Sequence, residues 1–498
     1  MMNVKPKADH IPFGNADRLF IDGKWVEPSS SARIDVVAPA TEQIFVSVAA
    51  AREADIKRAV HAARQAFDRG PWPRMTHGER ASVLKTMGQL VTERAEDVAE
   101  VWPNEMGVLH SIARDIAGGI GHVYEYYAGL AETFNFEERH KPASGGAVGL
   151  LAREPVGVVA AIIPWNAPII TIADKIAPAL LAGCCIVLKA SPEAPGAAYI
   201  MAEVAAHAGL PPGVLNVLTA DRAASEALVR NHGVDMVSFT GSTAVGKRIA
   251  SICSERVARY ALELGGKSAA VILDDYDVEM AANAIVGPAC FLSGQVCASL
   301  TRIIVTRQRH DQMVEALSSK FSVIKVGDPF EPETQIGPVA MRRQRDRIQQ
   351  LVAQGVAEGA TLATGGKRPA HLDRGFYIEP TVFGNVDNHS TIAKEEFFGP
   401  VLCVIAARDE EHAIELANDT VYGLNNSVFT NDVDQAYSVA RRLRSGMVGH
   451  NQFRADLSIA FGGFKQSGVG REGGVEGLLP YLESKTIILE AIPSHIPA

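Results

Sequence analysis

The chain has 498 residues, enough for two to four domains of ordinary size. It carries 57 Asp and Glu against 48 Lys and Arg, a net charge of −9. This charge argues against a nucleic-acid partner or an anionic membrane surface, because phosphate binding normally needs a basic surface. Hydrophobic residues make up 47% and charged residues 21% of the chain, which is typical of a globular protein and disfavours a disordered one.

The cysteine pattern favours a reducing compartment. No two of the six cysteines form a CxxC pair, so the spacing of a zinc site or a redox dithiol is missing and we expect no metal. The polar start of the chain lacks the apolar stretch of a secretory signal. The longest apolar run, residues 176–188, is shorter than the roughly 20 residues of a membrane helix. We therefore expect a cytoplasmic protein with no membrane partner.

The first third of the chain is predicted to be mostly helical. Apolar residues recur with helical spacing from Ile56 to Phe67, and Asp55 is placed to cap the start of this helix. A Gly-Pro-rich break at residues 70–73 precedes a second predicted helix at residues 79–99. The Pro/Gly-rich stretch 141–149 is typical of a connection between layers.

The middle of the chain alternates short apolar runs with helical stretches. Five runs are predicted to be strands of a parallel α/β sheet: residues 156–163, 185–188, 234–239, 269–273 and 302–305. A further α/β series is expected over residues 310–448, and a strand at residues 485–489. Parallel sheets bind ligands at the carboxyl ends of their strands. Polar residues lie at these positions or just before the next run: Trp165, Asn166, Lys189, Gly241, Ser242 and Glu263.

Gly241 and Gly246 follow a predicted strand at the start of a helix, where backbone N–H groups favour a phosphate. Residues 241–247 also match GxxxxGK, the pattern of a P-loop. A P-loop needs Ser or Thr next to hold magnesium, and this chain has Arg248. A nucleotide site and an ordinary strand-to-helix turn both remain open at this point.

Three further residues have a chemical and a structural interpretation. Cys297 lies among small residues that let a substrate approach its sulfur, yet a single cysteine is more often a buried hydrophobe. Glu263, beside a glycine pair, could act as a base if burial raises its pKa, or it could pair with Lys267 at the surface. The Asn166 amide could stabilise an oxyanion or cap a turn.

These motifs occur along the chain in the same order as in a known protein family. The chain resembles the NAD(P)-dependent aldehyde dehydrogenase superfamily over nearly its whole length. The resemblance rests on residues 20–25, 164–166, Lys189, 239–242 with Gly246, 263–267, 294–297, 395–400 and 461–468.

The resemblance implies an α/β aldehyde dehydrogenase-like fold with three parts. A parallel-sheet dinucleotide-binding domain would comprise residues 1–130 and 151–264, and an α/β catalytic domain residues 265–470. A small oligomerisation β-sheet, a hairpin plus the C-terminal strand, would comprise residues 131–150 and 471–498. A homodimer or homotetramer is expected on the same ground.

The resemblance also implies roles for individual residues. Cys297 would attack an aldehyde, the Asn166 amide and the Cys297 backbone N–H would hold the oxyanion, and Glu263 would activate water to hydrolyse the thioester. The coenzyme would contact twelve residues: Ile163, Pro164, Trp165, Lys189, Ser191, Glu193, Gly241, Ser242, Gly246, Leu264, Glu396 and Phe398.

Some choices stay open. Many NAD-preferring members have Glu three residues after the lysine, where this chain has Pro192, with Glu193 one place later. NAD is favoured and NADP is possible. A relative that transfers its thioester to coenzyme A is one alternative, and Glu263 argues against it because such enzymes generally lack that base. A P-loop nucleotide hydrolase built on Gly241 to Lys247 is the alternative from another class, and Arg248 argues against it. Phe291, Met106 and Phe453 are predicted to line a substrate tunnel, which favours an apolar or aromatic aldehyde.

Overall fold

Two largely parallel sheets organise the chain in a computed structural model, which describes residues 11–494. The first sheet has eight strands in the order β19-β11-β10-β7-β8-β9-β1-β2. Its five central strands are parallel, and the strands at both margins pair antiparallel. The strands are β1 (Leu19–Ile21), β2 (Lys24–Val26), β7 (Val158–Ile162), β8 (Cys185–Ala190), β9 (Leu215–Thr219), β10 (Met236–Thr240), β11 (Arg259–Glu263) and β19 (Gly468–Val469).

The second sheet has seven strands in the order β14-β15-β16-β13-β12-β17-β18. All neighbours are parallel except β14 and β15. The strands are β12 (Ser268–Ile272), β13 (Leu300–Thr306), β14 (Thr361–Thr364), β15 (Thr381–Gly384), β16 (Val401–Ala407), β17 (Asn425–Phe429) and β18 (Met447–His450).

The five predicted strands are confirmed as β7, β8, β10, β12 and β13, but the single sheet expected for them is wrong. The first three belong to one sheet and the last two to the other. Strand β11 was not predicted, because its sequence RYALE carries a charge at each end and lacks a continuous apolar run.

Helices cover the faces of both sheets. Those of the first 260 residues are α1 (Glu53–Arg69), α2 (His77–Glu93), α3 (Ala95–Met106), α4 (His110–Gly119), α5 (Gly121–Thr133), α6 (Pro168–Ala182), α7 (Gly196–His207), α8 (Arg222–Arg230) and α9 (Thr243–Ser254). The later ones are α10 (Val278–Cys290), α11 (His310–Ser322), α12 (Arg342–Ala357), α13 (Thr391–Lys394), α14 (Glu410–Asn418) and α15 (Val433–Arg442).

Two helix predictions need correction. Asp55 is not the residue before α1 but lies inside its first turn, where Oδ2 accepts the backbone N–H of Arg52 at 3.0 Å. The helix predicted over residues 79–99 is in fact two helices, α2 and α3, with a break at Arg94. The Arg94 guanidinium donates to Glu203 and to the carbonyl of Pro12, and these contacts fix the chain at the break.

A small antiparallel sheet lies apart from the two large ones. It has the order β20-β6-β5, with β5 (Glu137–His140), β6 (Val148–Pro155) and β20 (Leu482–Leu489). The Pro/Gly-rich stretch 141–149 contains the turn between β5 and β6. A two-stranded ribbon of β3 (Arg33–Ala38) and β4 (Gln43–Ala49) completes the strands. The oligomerisation role and the domain boundaries stay predictions, and residues 1–10 and 495–498 lie outside the described residues.

The apolar run 176–188 is core, as predicted. It forms the end of α6 and the start of β8, and every one of its residues is buried. Between residues 11 and 494 we find no helix with both the length and the apolar character needed to cross a bilayer.

Candidate active site

The carboxyl ends of the parallel strands of the first sheet carry most of the predicted site residues. Strand β7 is followed by Ile163, Pro164, Trp165 and Asn166, and β8 contains Lys189 and leads to Ser191 and Glu193. Strand β10 is followed by Gly241 and Ser242, and β11 ends on Glu263 with Leu264 after it. Because parallel strands end at one edge, the structure brings these residues together.

Ser242 is the N-cap of α9. Its hydroxyl accepts the N–H of Val245 at 3.4 Å, and Gly246 packs under Leu264 so closely that a Cβ there would lie 2.5 Å from Leu264 Cδ2. The helix already begins at Thr243, so residues 243–247 form a helical turn and not a phosphate-wrapping loop, and Lys247 is exposed. The P-loop hypothesis is therefore wrong, while the helix N-terminus remains able to face an anion.

The end of β8 holds a group of charges. Lys189 is buried, and burial lowers its pKa to about 8. Burial opposes the ionisation of Glu193, but hydrogen bonding from Ser191 and the guanidinium of Arg343 bring the pKa of Glu193 below its ordinary value. Glu193 is thus a fixed carboxylate just beyond the carboxyl end of β8.

The second sheet contributes through loops that precede its strands. Cys297 lies in the loop before β13, Glu396 and Phe398 in the loop before β16, and Lys267 directly before β12. The amino edge of the second sheet therefore meets the carboxyl edge of the first. The four residues 264–267 join β11 to β12 across this junction.

The loop before Cys297 has an unusual backbone. Leu292, Ser293 and Gly294 have φ of 49°, 57° and 73°, three left-handed residues in a row. At Gly294 a Cβ would lie 2.3 Å from the carbonyl carbon of Gly399, so only glycine fits between the two loops. Such strain persists only where the surroundings hold the backbone in place.

Gln295 supplies much of that support. Its fully buried side chain donates to the carbonyl of Leu292 at 3.0 Å and accepts the N–H of Ala340 at 2.9 Å. The backbone carbonyl of Gln295 accepts from Asn166 Nδ2 at 2.9 Å. This bond ties the Asn166 amide of the first sheet to the cysteine loop of the second.

Gly265 and Gly266 lie between the two loops of the second sheet. A Cβ at Gly265 would be 2.3 Å from Glu396 Oε2, and one at Gly266 would be 2.4 Å from the Cys297 carbonyl oxygen. The N–H of Gly266 donates to Glu396 Oε1 at 3.3 Å. The glycine pair thus allows Glu396 and Cys297 to approach the crossover, a spacing that no side chain would permit.

The loop around Glu396 is held by α12 and by an aromatic contact. Phe398 has φ of 54°, and its ring meets Trp165 edge-on with centroids 5.3 Å apart. Gln344 Nε2 donates to the carbonyls of Phe397 and Phe398 at 2.8 and 2.9 Å. Burial raises the pKa of Glu396 to about 7.

Glu263 is only 4% exposed, and among the described residues its Oε2 has no hydrogen-bond partner. Burial, followed by the charge of Glu472, raises the pKa of Glu263 well above its ordinary value. The surface pairing with Lys267 considered from sequence is wrong, because Lys267 is fully buried and its ammonium lies 4.7 Å from the centre of the Phe397 ring. A carboxylate whose pKa is raised is a stronger base than an exposed one.

A buried ion pair next to Glu263 was not foreseen. Lys175 of α6 pairs with Glu472, and Lys175 Nζ also donates to Ser238 Oγ at 3.2 Å. The signal was Lys175 beside Asp174 in the middle of a largely apolar helix, where a charged group has to find a buried partner. Gln295 and Gln344 were also missed, since their roles come from contacts distant in sequence.

Cys297 differs from the other cysteines. It is partly exposed, whereas the remaining five are buried and behave as small core residues, as predicted for them. Burial raises the pKa of Cys297, and the carboxylates of Glu396 and Glu263 raise it further, while the Ala298 N–H opposes the shift. The thiol is therefore protonated at neutral pH in the unliganded protein.

The remaining predictions concern metals and the substrate tunnel. Within residues 11–494 no group of three or more His, Cys, Asp or Glu side chains is arranged to hold a metal ion. Met106 has no accessible surface and belongs to the main core, so its assignment to the tunnel wall is wrong. Phe291 and Phe453 are partly buried and remain candidates for that wall.

Comparison with known proteins agrees with this geometry. Residues 25–487 match the family model described as "Aldehyde dehydrogenase family". A geranial dehydrogenase from Castellaniella defragrans is 40% identical over 95% of this chain and 98% of its own length.

Two solved structures share the fold. The Mycobacterium tuberculosis aldehyde dehydrogenase complexed with NAD+ superposes with a TM-score of 0.93 at 42% identity, covering 97% of this chain and 99% of that one. A Pseudomonas syringae aldehyde dehydrogenase C mutant, in complex with NAD+ and octanal, gives a TM-score of 0.92 at 39% identity, with coverage of 96% and 98%. The chain therefore belongs to the aldehyde dehydrogenase family, and it is an NAD(P)-dependent oxidoreductase by that membership.

Proposed function

We propose that this chain oxidises an aldehyde to a carboxylic acid with NAD+ and water, with Cys297 as nucleophile and Glu263 as the base of the second half-reaction. The observation that carries the proposal is the crossover at residues 264–267. It brings together the partly exposed Cys297, the Asn166 amide and the buried Glu263, whose Oε2 has no hydrogen-bond partner within residues 11–494.

The residues at this junction fit a dinucleotide. The N-terminus of α9 at Ser242 suits the pyrophosphate, Lys189 and Glu193 suit the adenosine ribose, and Glu396 suits the second ribose. Ile163, Pro164, Gly241, Gly246 and Leu264 would shape the walls, with Trp165 and Phe398 packing against the bound molecule. When bound, NAD+ supplies the hydride acceptor.

In the first half-reaction Cys297 Sγ forms a bond to the aldehyde carbon, and the thiol proton leaves to solvent. The Asn166 amide and the Cys297 N–H would stabilise the oxyanion of this thiohemiacetal, and removing one such donor typically costs about 3 kcal/mol. Cys297, whose raised pKa disfavours ionisation of its thiol, would ionise more readily beside a bound, cationic nicotinamide. Loss of hydride from the same carbon leaves a thioester on Cys297.

In the second half-reaction Glu263 takes a proton from water as the water oxygen bonds to the thioester carbon. The C–S bond then breaks, the acid leaves and Cys297 regains its proton. A base with a pKa near the working pH is the most effective in this step, and the burial of Glu263 shifts its pKa in that direction. Transfer to coenzyme A would need no such base, so Glu263 favours hydrolysis.

We infer that the aldehyde is apolar, because Phe291 and Phe453 remain candidates for the tunnel wall and the similar proteins include a geranial dehydrogenase and one crystallised with octanal. The test is NADH formation from NAD+ with octanal and with a small polar aldehyde, with and without coenzyme A. We expect turnover without coenzyme A, octanoic acid as product and a higher kcat/KM for octanal. Strict dependence on coenzyme A would support the acylating alternative and contradict this proposal.

A further inference from the structure

Arg343 connects the two sides of the cleft at the end of β8. It lies in the first turn of α12, and its Nη2 is 2.5 Å from Glu193 Oε1. The same helix holds the loop of Glu396 through Gln344. One helix of the second half of the chain therefore contacts both segments proposed to hold a ribose.

The ion pair is asymmetric in exposure. The Arg343 side chain is 69% exposed and that of Glu193 is 22% exposed. Glu193 is additionally held by the Ser191 hydroxyl. Because the Arg343 guanidinium is mostly exposed, water can replace Glu193 as its partner, so Arg343 can turn away at little cost.

The two members of this pair act in opposite ways on a ribose 2′-position. A carboxylate accepts hydrogen bonds from ribose hydroxyls and repels a 2′-phosphate, whereas a guanidinium binds phosphate through paired N–H donors. Both groups are within reach of the same point at the end of β8.

We propose that Arg343 is a latent ligand for the 2′-phosphate of NADP, restrained by Glu193, and that this pair determines the coenzyme preference of the chain. The inference rests on the proposed function, since it needs a dinucleotide ribose at Glu193. NAD is favoured while Glu193 is charged. Loss of that charge frees Arg343 and reverses the preference.

The test measures the binding of NADH and NADPH directly, in the absence of aldehyde, from the change in coenzyme fluorescence. Arg343→Ala is expected to weaken NADPH binding about tenfold, because one charged hydrogen bond is lost. NADH binding should stay within about threefold of the affinity of the unmodified protein. Glu193→Gln is expected to tighten NADPH binding about tenfold and to weaken NADH binding. The double variant is expected to lose the gain in NADPH affinity.

Arg342→Ala is the matched control. Arg342 neighbours Arg343 on α12 and is also exposed, but it pairs with Glu42 on another part of the surface. Equal weakening of NADPH binding by both alanine variants, or a double variant that keeps the gain, would overturn the assignment to Arg343. Failure of the unmodified protein to bind NADH would instead overturn the proposed function.

Discussion

The two large sheets contribute to one site from opposite ends of their strands. In the first sheet the chemical groups follow the strands, as with Asn166 after β7 and Glu263 at the end of β11. In the second sheet they precede the strands, as with Cys297 before β13 and Glu396 before β16. The first edge is an ordinary ligand-binding edge, whereas the second depends on strained loops and close glycine contacts. Four substitutions and one pH dependence test that contrast.

The largest effect is expected at Glu263, the proposed base at the first edge. Glu263→Gln removes the proton acceptor while keeping the shape of the side chain, so deacylation should slow about 10²- to 10⁴-fold. Rapid mixing should then show a burst of NADH followed by slow turnover. Glu105→Gln alters a carboxyl group in α3 that is similarly buried, and it should leave these kinetics unchanged. Unimpaired steady turnover in Glu263→Gln would remove Glu263 from its assigned role.

The glycine crossover should be nearly as sensitive. Gly266→Ala places a methyl group against the Cys297 carbonyl and should displace Cys297, the proposed nucleophile, so kcat/KM should fall about 100-fold. Gly287→Ala in α10 is the control, because no atom lies within 4 Å of its Cβ position. That change should leave activity intact and add about 0.5 kcal/mol to the free energy of unfolding. Equal activity of the two variants would show that the close contact has no catalytic importance.

The pH dependence of Cys297 alkylation tests the second edge. Because its pKa is raised in the unliganded protein, the thiolate fraction should be small at pH 7.5 and should still be increasing above pH 9. Added NAD+ should speed alkylation at pH 7.5. The rate is measured with iodoacetamide and peptide mapping. A rate that levels off below pH 8 without NAD+ would contradict the raised pKa.

Gln344 holds the Glu396 loop and should have a smaller effect. Gln344→Leu removes two hydrogen bonds to backbone carbonyls, so the ribose contact should loosen and KM for NAD+ should rise about tenfold. Gln354→Leu, farther along α12 and exposed, is the comparison variant. If both variants have the same KM, the hydrogen bonds of Gln344 do not position the loop.

Lys267 should affect stability. Its pKa falls from 10.5 to about 8 because it is buried, so the unfolded chain binds more protons between pH 8 and 10.5 and stability should rise with pH over that range. Below pH 8 Lys267 is charged in the folded protein as well, so the full free-energy cost of burying its charge remains. Lys267→Met should raise the free energy of unfolding by about 2 kcal/mol at pH 7, with little gain at pH 10.5. Urea midpoints at both values measure this, and a gain independent of pH would refute the buried-charge explanation.

The contrast between the edges also explains what sequence can predict. The rule for parallel strands located Asn166, Lys189, Ser242 and the neighbourhood of Glu263 from local patterns alone. No comparable rule points to the amino edge of a sheet, so Cys297 and Glu396 could be assigned only through the family resemblance.

Contacts between segments that are distant in sequence could not be predicted from local patterns either. Gly265 and Gly266 are recognisable in sequence, but their closeness to Glu396 and Cys297 depends on how two sheets pack. The pairing of Lys175 with Glu472 joins residues nearly 300 positions apart. Met106 failed as a tunnel residue because an apolar residue near a motif is more often core than wall.

The most direct test is to trap the covalent intermediate. Glu263 at the first edge is substituted, and the adduct on Cys297 at the second edge is detected. Glu263→Gln would be mixed with NAD+ and octanal, quenched within the burst and examined by mass spectrometry of intact protein and peptides. We predict an octanoyl group on Cys297, formed only when both NAD+ and octanal are present. An octanoyl group on another residue, or no adduct despite NADH formation, would contradict it.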